Sequence, residues 1–529
     1  MNRRSFLKAL GLISAFAGLR LSADSLNNPS FLHGVASGDP TDTNIILWSR
    51  VTTNSQNSIK VIYEVSENKG FTTIFLKGQK IVGKQSDFTI KIDVKIPKKY
   101  RGKKIFYRFK SENSVSEVGS TMTLPQDRKN FKVAIFSCSN YPAGFFNVYG
   151  DAAKDKSIDL GIHVGDYIYE YKQGEYATEN AIKLDRSPLP DKEITTLTDY
   201  RLRHSQYKSD KDLQKIHASM PFICAWDDHE IANDAWKAGA ENHQKSEGSF
   251  RERKINALNA YYEWMPIRSI KNKKNNWKRY KIGKLLDIKF LETRLSARTE
   301  QINLLNFFKK DGTFNKQKFL ESLNSNKREL LGSRQIDFIK KNVVTQDTWN
   351  LYAQQVLLAP LKLPSISDEI IDRLPSFQQF LKLVIKEDLP FNFDSWDGYP
   401  MERKRFLNAL GSNSKKNIFV AGDTHNCWVN NIVDDEKFHG VELGAPSVTS
   451  PGASENFSGL IPASDLEKAI MNKNKNLKWT NLSNRGYLTI NFEKRFAEVE
   501  FRGVDNISSR NFKSIALKKL KIMPNKKII

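Results

Sequence analysis

At 529 residues the chain is long enough for two or three domains, and its 39% hydrophobic and 11% aromatic content can fill sizeable cores, which excludes a disordered or fibrous protein. A formal net charge of +24 and a pI of about 9.6 admit a polyanionic partner such as nucleic acid, a teichoic polymer or an anionic membrane face. The lysines are nevertheless scattered through loops such as "IKNKKNNWKRYKIGK" and "ALKKLKIMPNKK" rather than interleaved with aromatics, so charge alone selects no partner, and no nucleic-acid-specific motif is present.

The first residues, "NRRSFLKALGLISAFAGLRLSA", pair Arg3 with Arg4, continue through Ser5, Phe6, Leu7 and Lys8, run apolar to Leu19 and reach small residues around Ala23. That order is close to a full twin-arginine export signal, so residues 1–23 are expected to engage the twin-arginine machinery, be cleaved after Ala23 and deliver a periplasmic or secreted protein. The run from Ala9 to Leu19 falls short of the roughly 20 residues a membrane span needs, and no transmembrane segment is expected in the mature chain. No cysteine precedes Cys138, which excludes lipoprotein anchoring.

From Phe31 to Met122 short alternating segments ("NIILWSRV", "SIKVIYEVSE", "FTIKIDVKI", "KIFYRFKS") separated by turn residues predict an N-terminal antiparallel β-sandwich over 31–122. A linker, Thr123 to Asn130, leads to continuous apolar runs of the buried parallel type: "KVAIFSC", "DLGIHVGD", "FICAWDD", "LLDIKFLETR" and "NIFVAGDTH". With amphipathic stretches such as "KINALNAYYEWM" between them, they predict an α/β domain over 130–505. Residues of about 299–395 read as a polar, mostly helical insertion, and 506–529 as a basic C-terminal tail.

Several apolar runs end in polar residues: Cys138 with Asn140, Asp166 with Tyr169, Asp228 with His229, and Asp423 with His425. In open α/β sheets ligands bind beyond the carboxyl ends of the strands, so these ends converge on one site. Carboxylate, imidazole, phenol and thiol are metal ligands, and a set this rich points to a multinuclear centre whose cations offset the repulsion between carboxylates. Cysteines in apolar runs are usually inert, the reading kept for Cys224 and Cys427, whereas Cys138 is assigned as a ligand.

This ordered set resembles the alkaline phosphatase D (PhoD-like) family of the calcineurin-like metallophosphoesterases. The likeness is carried by "FLHGVASGDPTDTNIILWSRV", "HVGDYIYEY", "DYRLRHSQY", "PFICAWDDHEIANDAWKAGAENHQ", "AYYEWMPIR", "DSWDGYP" and "ELGAPSVTSPG", from Phe31 to Asp505. Against the wider superfamily pattern, Cys138 stands for Asp-x-His, "DDH" for "GNH", and Asp423 for the first His of "GHxH". Oxygen ligands at the second metal position favour calcium over zinc, and a phenolate at the first suits ferric iron; the resemblance implies the same pair. It further implies that Asp166 bridges, that Cys138, Tyr169 and His425 bind iron, and that Asp228 and Asp423 bind calcium. His229 is assigned to the ester oxygen, as a phosphate contact and proton donor. Asn233 is an extra calcium ligand or phosphate contact, and Arg294 and Arg298 either clamp phosphate or form an internal salt bridge. Glu292 in "LETR" stands where the family more often has Asp, a change with no evident reading.

The expected reaction is hydrolysis of phosphate mono- and diesters by metal-activated water, scavenging phosphate outside the cytoplasm. A phospholipase D-like or cell-envelope polymer phosphodiesterase is the alternative, and a catalytically dead polyanion-binding protein the non-enzymatic one.

Overall fold

The computed structural model describes residues 29–529 apart from 271, 345–346, 375–377, 412–414 and 458; the export-signal segment lies outside the described residues. The N-terminal part holds β1 (Val35–Gly38), β2 (Asn44–Arg50), β3 (Ile59–Ser66), β4 (Ile74–Val82), β5 (Thr89–Lys95), β6 (Ile105–Ser111), β7 (Ser114–Val115) and β8 (Gly119–Thr121). Then come β9 (Asn130–Phe136), β10 (Leu160–His163), β11 (Pro221–Cys224), β12 (Lys278–Ile282), β13 (Leu286–Phe290), β14 (Trp349–Ala353) and β15 (Asn417–Ala421). The chain ends with β16 (Cys427–Asp434), β17 (Lys437–Gly444), β18 (Leu477–Asn481), β19 (Arg485–Glu493), β20 (Ala497–Val504) and β21 (Ser514–Ile522).

Two large mixed sheets face each other. One runs β21-β20-β19-β9-β10-β11-β1-β2-β5 and the other β12-β13-β14-β15-β17-β16-β18. Alternation within the buried strands decides what each face meets. On β9, Val133 and Ile135 turn into the core between the sheets, with Ile162, Ile288, Leu351, Val420 and Leu443. Ala134 and Phe136 turn the other way, onto a helical layer carrying Tyr149, Tyr207, Leu213 and Tyr261. Both faces of the first sheet are covered at β9, β10 and β11, which is why these strands read as unbroken apolar runs.

The expected N-terminal sandwich differs in one respect. β3, β4, β6, β7 and β8 form their own sheet, and Val61, Val65, Tyr107 and Phe109 from it pack against Ile45, Leu47 and Ile90 of β2 and β5. But β1, β2 and β5 continue the catalytic sheet, because β1 pairs in parallel with β11 at Ser37↔Pro221 and Gly38↔Phe222. Gly38 permits that approach, since a Cβ there would lie 2.5 Å from the Phe222 carbonyl oxygen. Alternation along a strand reveals its faces, not its sheet.

Two further expectations are corrected. The segment 299–395 is not one helical insertion: β14 crosses it as a fully buried strand between β13 and β15. Its four apolar residues are interrupted by Asn350 and flanked by Asp347, Gln354 and Gln355, which masked the run. The basic tail is also a strand, since β21 pairs with β20 at the sheet edge with Leu517 and Leu520 against the core and Lys518, Lys519 and Lys521 outward. Lysines on an edge strand discourage pairing with other chains. No helix among the described residues is long and apolar enough to cross a membrane.

Candidate active site

β9, β10 and β11 end at one rim of the first sheet, and β15 ends at the same rim of the second. An isolated bridge between Ser137 and Ser447 and the bond from Val448 N–H to the Ser137 carbonyl (2.9 Å) tie the rims together. The chain turns sharply just after each strand. Cys138, Asp166, Asp423 and His425 all have positive φ, between 55° and 64°, a region that side chains other than glycine enter at a cost. Gly165 (φ 122°) lets the second and third loops meet, because a Cβ there would fall 2.4 Å from Asp227 Cβ.

These turns bring the expected ligands together. Asp166 Oδ2 accepts from the Cys138 thiol (3.4 Å) and the Tyr169 hydroxyl (3.2 Å), and Tyr169 Oη lies 3.4 Å from His425 Nε2. Donor atoms of Cys138, Asp166 and His425 all lie within 4.8 Å of one another, as do those of Asp166, Asp228 and His229, and those of Asp227, Asp228 and Asp423. Asp166 therefore belongs to two donor groups, one with Cys138 and His425 and the other with Asp228 and His229, and the second is joined through Asp228 to the carboxylates of Asp227 and Asp423. Its Oδ1 is buried without a hydrogen-bond partner, and so are both side-chain heteroatoms of Asn140.

The electrostatics fit a cation. Burial, then the charge of Asp166, pushes the Cys138 thiol and the Tyr169 hydroxyl well above their ordinary values. Burial also lifts Asp166, as it does Asp423, where Asp227 and Asp394 add to the effect. Without cations this set holds protons; bound cations favour the thiolate, phenolate and carboxylate forms that ligate. His425 is already prepared. Burial depresses it to about 3, keeping it neutral, and its Nδ1–H donates to the Pro451 carbonyl (2.9 Å), which leaves the Nε2 lone pair free.

His229 is built differently. Its Nδ1 meets Glu170 Oε2 at 2.7 Å, and Glu170, fully buried, also accepts from Asn233 N (2.6 Å) and Asn242 Nδ2 (2.9 Å). Burial disfavours the imidazolium, but Asp228, Glu170 and Asp166 outweigh it and hold His229 well above the ordinary histidine value. The ring stacks on Tyr169, with centroids 4.2 Å apart.

The arginines and Asn233 take other places. Arg294 is fully buried: Nε pairs with Asp227, NH1 with Asp394 (2.7 Å), and NH2 approaches Asp423 (3.3 Å) and Asp228 (3.5 Å). Arg298, equally buried, pairs with Asp394. Of the two readings for this pair, the geometry is that of the internal salt bridge. The Asn233 side chain turns to Glu241 (3.1 Å), and only its backbone serves the site, through Glu170.

Sequence reasoning assigned no role to Asp227, Glu170, Glu230 or Ser450. Glu230 accepts from the backbone N–H groups of Asp166 (3.1 Å), Tyr167 (2.6 Å) and Asp227 (2.8 Å), clasping two ligand loops. Ser450 donates to Tyr169 Oη at 2.7 Å. All lie inside the motifs "HVGDYIYEY", "WDDHE" and "ELGAPSVTSPG", but their partners are distant in sequence.

A shared carboxylate between two donor groups, flanked by a carboxylate-held imidazole at the carboxyl rim of two sheets, is the equipment of a phosphoric ester hydrolase. Comparison with known proteins narrows the class. The model for the PhoD-like phosphatase matches residues 133–501, and the model for the N-terminal domain of PhoD-like phosphatase matches 17–125. The chain is 32% identical over 520 residues to alkaline phosphatase D of Bacillus subtilis (strain 168), covering 92% of this chain and 82% of that protein. A solved structure of PhoD superposes with a TM-score of 0.78 at 28% identity, over 93% of this chain and 90% of that one. The chain belongs to the PhoD-like phosphatase family.

Proposed function

We propose that this phosphatase hydrolyses both phosphate mono- and diesters at alkaline pH, outside the cytoplasm, to release phosphate. In this reading the chain is exported through Arg3 and Arg4, and its metallophosphoesterase domain shares β1, β2 and β5 with the N-terminal sandwich and takes in β21 at its edge. The observation that carries the catalytic part is the membership of Asp166 in two unlike donor groups. Cys138, Asp166, Tyr169 and His425 would hold ferric iron, while Asp166, Asp228 and Asp423 would hold calcium, the harder oxygen set suiting the harder ion. Bound there, such cations neutralise phosphoryl oxygens and supply an activated water.

The chain's own groups do the rest. Ser450 and Asp166 fix the Tyr169 hydroxyl from two sides, and the Pro451 carbonyl fixes the tautomer of His425. Glu170 orients His229 through Nδ1, so the proton available to the leaving alkoxide sits at Nε2. Arg294 balances part of the carboxylate charge from below.

The test is to purify the exported protein, measure its iron and calcium, and compare bis(4-nitrophenyl) phosphate with 4-nitrophenyl phosphate. Turnover of both esters with both metals bound, abolished in Asp166→Asn, supports the proposal. A zinc-loaded, colourless and fully active enzyme, or one inert to diesters, overturns the corresponding part.

A further inference from the structure

The segment after Arg298 builds a small amphipathic projection unrelated to the catalytic ligands. A 3-10 turn, Leu304–Phe307, leads into a tight hairpin in which Phe308 bridges to Phe314, Lys309 N–H donates to the Thr313 carbonyl (2.8 Å), and Asn315 N–H to that of Phe307 (2.7 Å). The helix Lys316–Leu323 follows. One side of the unit is anchored: Leu304, Phe307, Phe319 and Leu323 are buried, with Phe319 at 5.5 Å from both Phe307 and Phe393.

The other side is apolar and open. Leu305 is 75% exposed, Phe308 42% and Leu320 39%, in a protein whose other large apolar side chains are mostly interior. Phe308 follows the turn directly in an extended conformation, and its ring is backed by Phe314 at 5.6 Å. Between Leu305 and Leu320 lie Lys309, Lys310, Lys316 and Lys318 against the single acid Asp311. Asp311 is turned inward onto Thr313, accepting from its N–H and hydroxyl at 2.9 and 2.7 Å, and Lys316 is shared with Glu387 (3.4 Å). Isolated exposed leucines are ordinary; exposed Leu305 and Phe308 next to a hairpin tip that carries Lys309 and Lys310 have the composition that enters a headgroup layer, apolar groups at the acyl boundary and ammonium groups at the phosphates.

We propose that Leu305, Phe308 and the flanking lysines form a docking surface for a phospholipid bilayer containing anionic lipids. The positive ring selects that occupant over a second copy of this chain, which carries the same +24 charge. The start of the segment is tied to the domain by Gln301, which donates to Asp394 (2.6 Å) and to the Asp234 carbonyl (3.0 Å).

The full-length exported enzyme is mixed with vesicles of phosphatidylcholine alone or with phosphatidylglycerol, and bound protein is measured by sedimentation. Binding should require phosphatidylglycerol. Lys309→Gln with Lys310→Gln should weaken it roughly 25-fold at low salt, about fivefold per lysine. Leu305→Asp with Phe308→Asp should weaken it at every salt concentration, while soluble nitrophenyl ester hydrolysis stays unchanged in all variants. Tryptophan emission of Phe308→Trp should shift to the blue on anionic vesicles only. Absence of wild-type binding, or equal binding by the aspartate variant, refutes the surface. A wild-type dimer that becomes monomeric in that variant, without vesicle binding, reassigns the patch to a second copy.

Discussion

Replacing Glu170 by Gln isolates one element of the site. The change keeps the size and a hydrogen-bond acceptor for His229 Nδ1 but removes the negative charge from a bond of 2.7 Å in a fully buried setting. A hydrogen bond to a charged group contributes about 1.5–3 kcal/mol. At about 1.4 kcal/mol per decade, that corresponds to a loss of roughly 10- to 150-fold in kcat if His229 must carry a proton in the transition state. Glu170 is among the groups that raise His229, so its loss also lowers the pH at which the imidazolium deprotonates, and the alkaline limb of the rate profile moves to lower pH. The assay compares an alkyl phosphate with a nitrophenyl phosphate, with metal content measured alongside. The deficit should be large for the alkyl ester and small for the nitrophenyl ester, whose leaving group needs no proton. Equal deficits on both esters would refute the proton-donor argument and leave Glu170 a purely positional role; a loss of metal would refute the separation of this pair from the ligands.

The direct variants sharpen that contrast: Asp228→Ala should deplete metal and abolish turnover, whereas His229→Ala should keep its metals and lose roughly 10²- to 10⁴-fold in turnover of alkyl esters. Tyr169→Phe should erase a visible absorption band together with activity, and after chelation calcium should restore the wild type better than zinc; the reverse order of rescue counts against an oxygen-rich second position. Replacing Arg3 and Arg4 by Lys should retain the precursor in the cytoplasm, as cell fractionation would report. Asp39, buried against Lys278 and Tyr280, links the N-terminal strands to β12. Burial raises its carboxyl, but Lys278, Tyr280 and the Arg268 N–H outweigh that and hold it below the ordinary value. Its contribution is therefore complete above the unfolded value and lost as pH falls through the folded one. Asp39→Asn should cost about 3 kcal/mol near neutrality, with the melting difference from wild type closing below about pH 4.

The parts of the site legible in the sequence share one form. "KVAIFSC", "HVGD", "FICAWDD" and "FVAGDTH" each join an apolar run to a ligand, so strand, strand end and donor appear in one window. What stayed hidden depends on pairing over distance. Glu170 meets His229 across 59 positions and Glu230 meets Asp166 across 64, and nothing near either residue marks it as more than an acid in a motif. β14 was hidden for another reason: five residues buried between neighbouring strands need no periodicity, and their polar flanks made the stretch read as insertion. The assignment of β1 to the catalytic sheet rests on the contact of Gly38 with Phe222, which strand patterning does not encode.

The two donor groups around Asp166 are balanced unequally, and this explains why so charged a cluster folds at all. On the side of Asp227, Asp228 and Asp423 the protein supplies its own cation, Arg294, itself held by Asp394. Asp228 is accordingly held well below its ordinary value: burial alone would raise it, but Arg294 and His229 prevail. On the side of Cys138, Tyr169 and His425 no arginine among the described residues is paired with the thiol or phenol: the cation at hand is His229, stacked on Tyr169 and committed to Glu170, while His425 is neutral and Ser450 and Pro451 contribute only dipoles. There, in the absence of a metal, protons stand in for it, on a thiol and a phenol whose ionised forms burial disfavours. The first group therefore needs a cation to ionise its thiol and phenol, whereas in the second only Asp228 is held ionised beside Arg294 while burial still raises Asp227 and Asp423. A cation of high charge would serve best where two such deprotonations must be driven, which is the reason for the proposed assignment of ferric iron to the first position and calcium to the oxygen-rich second.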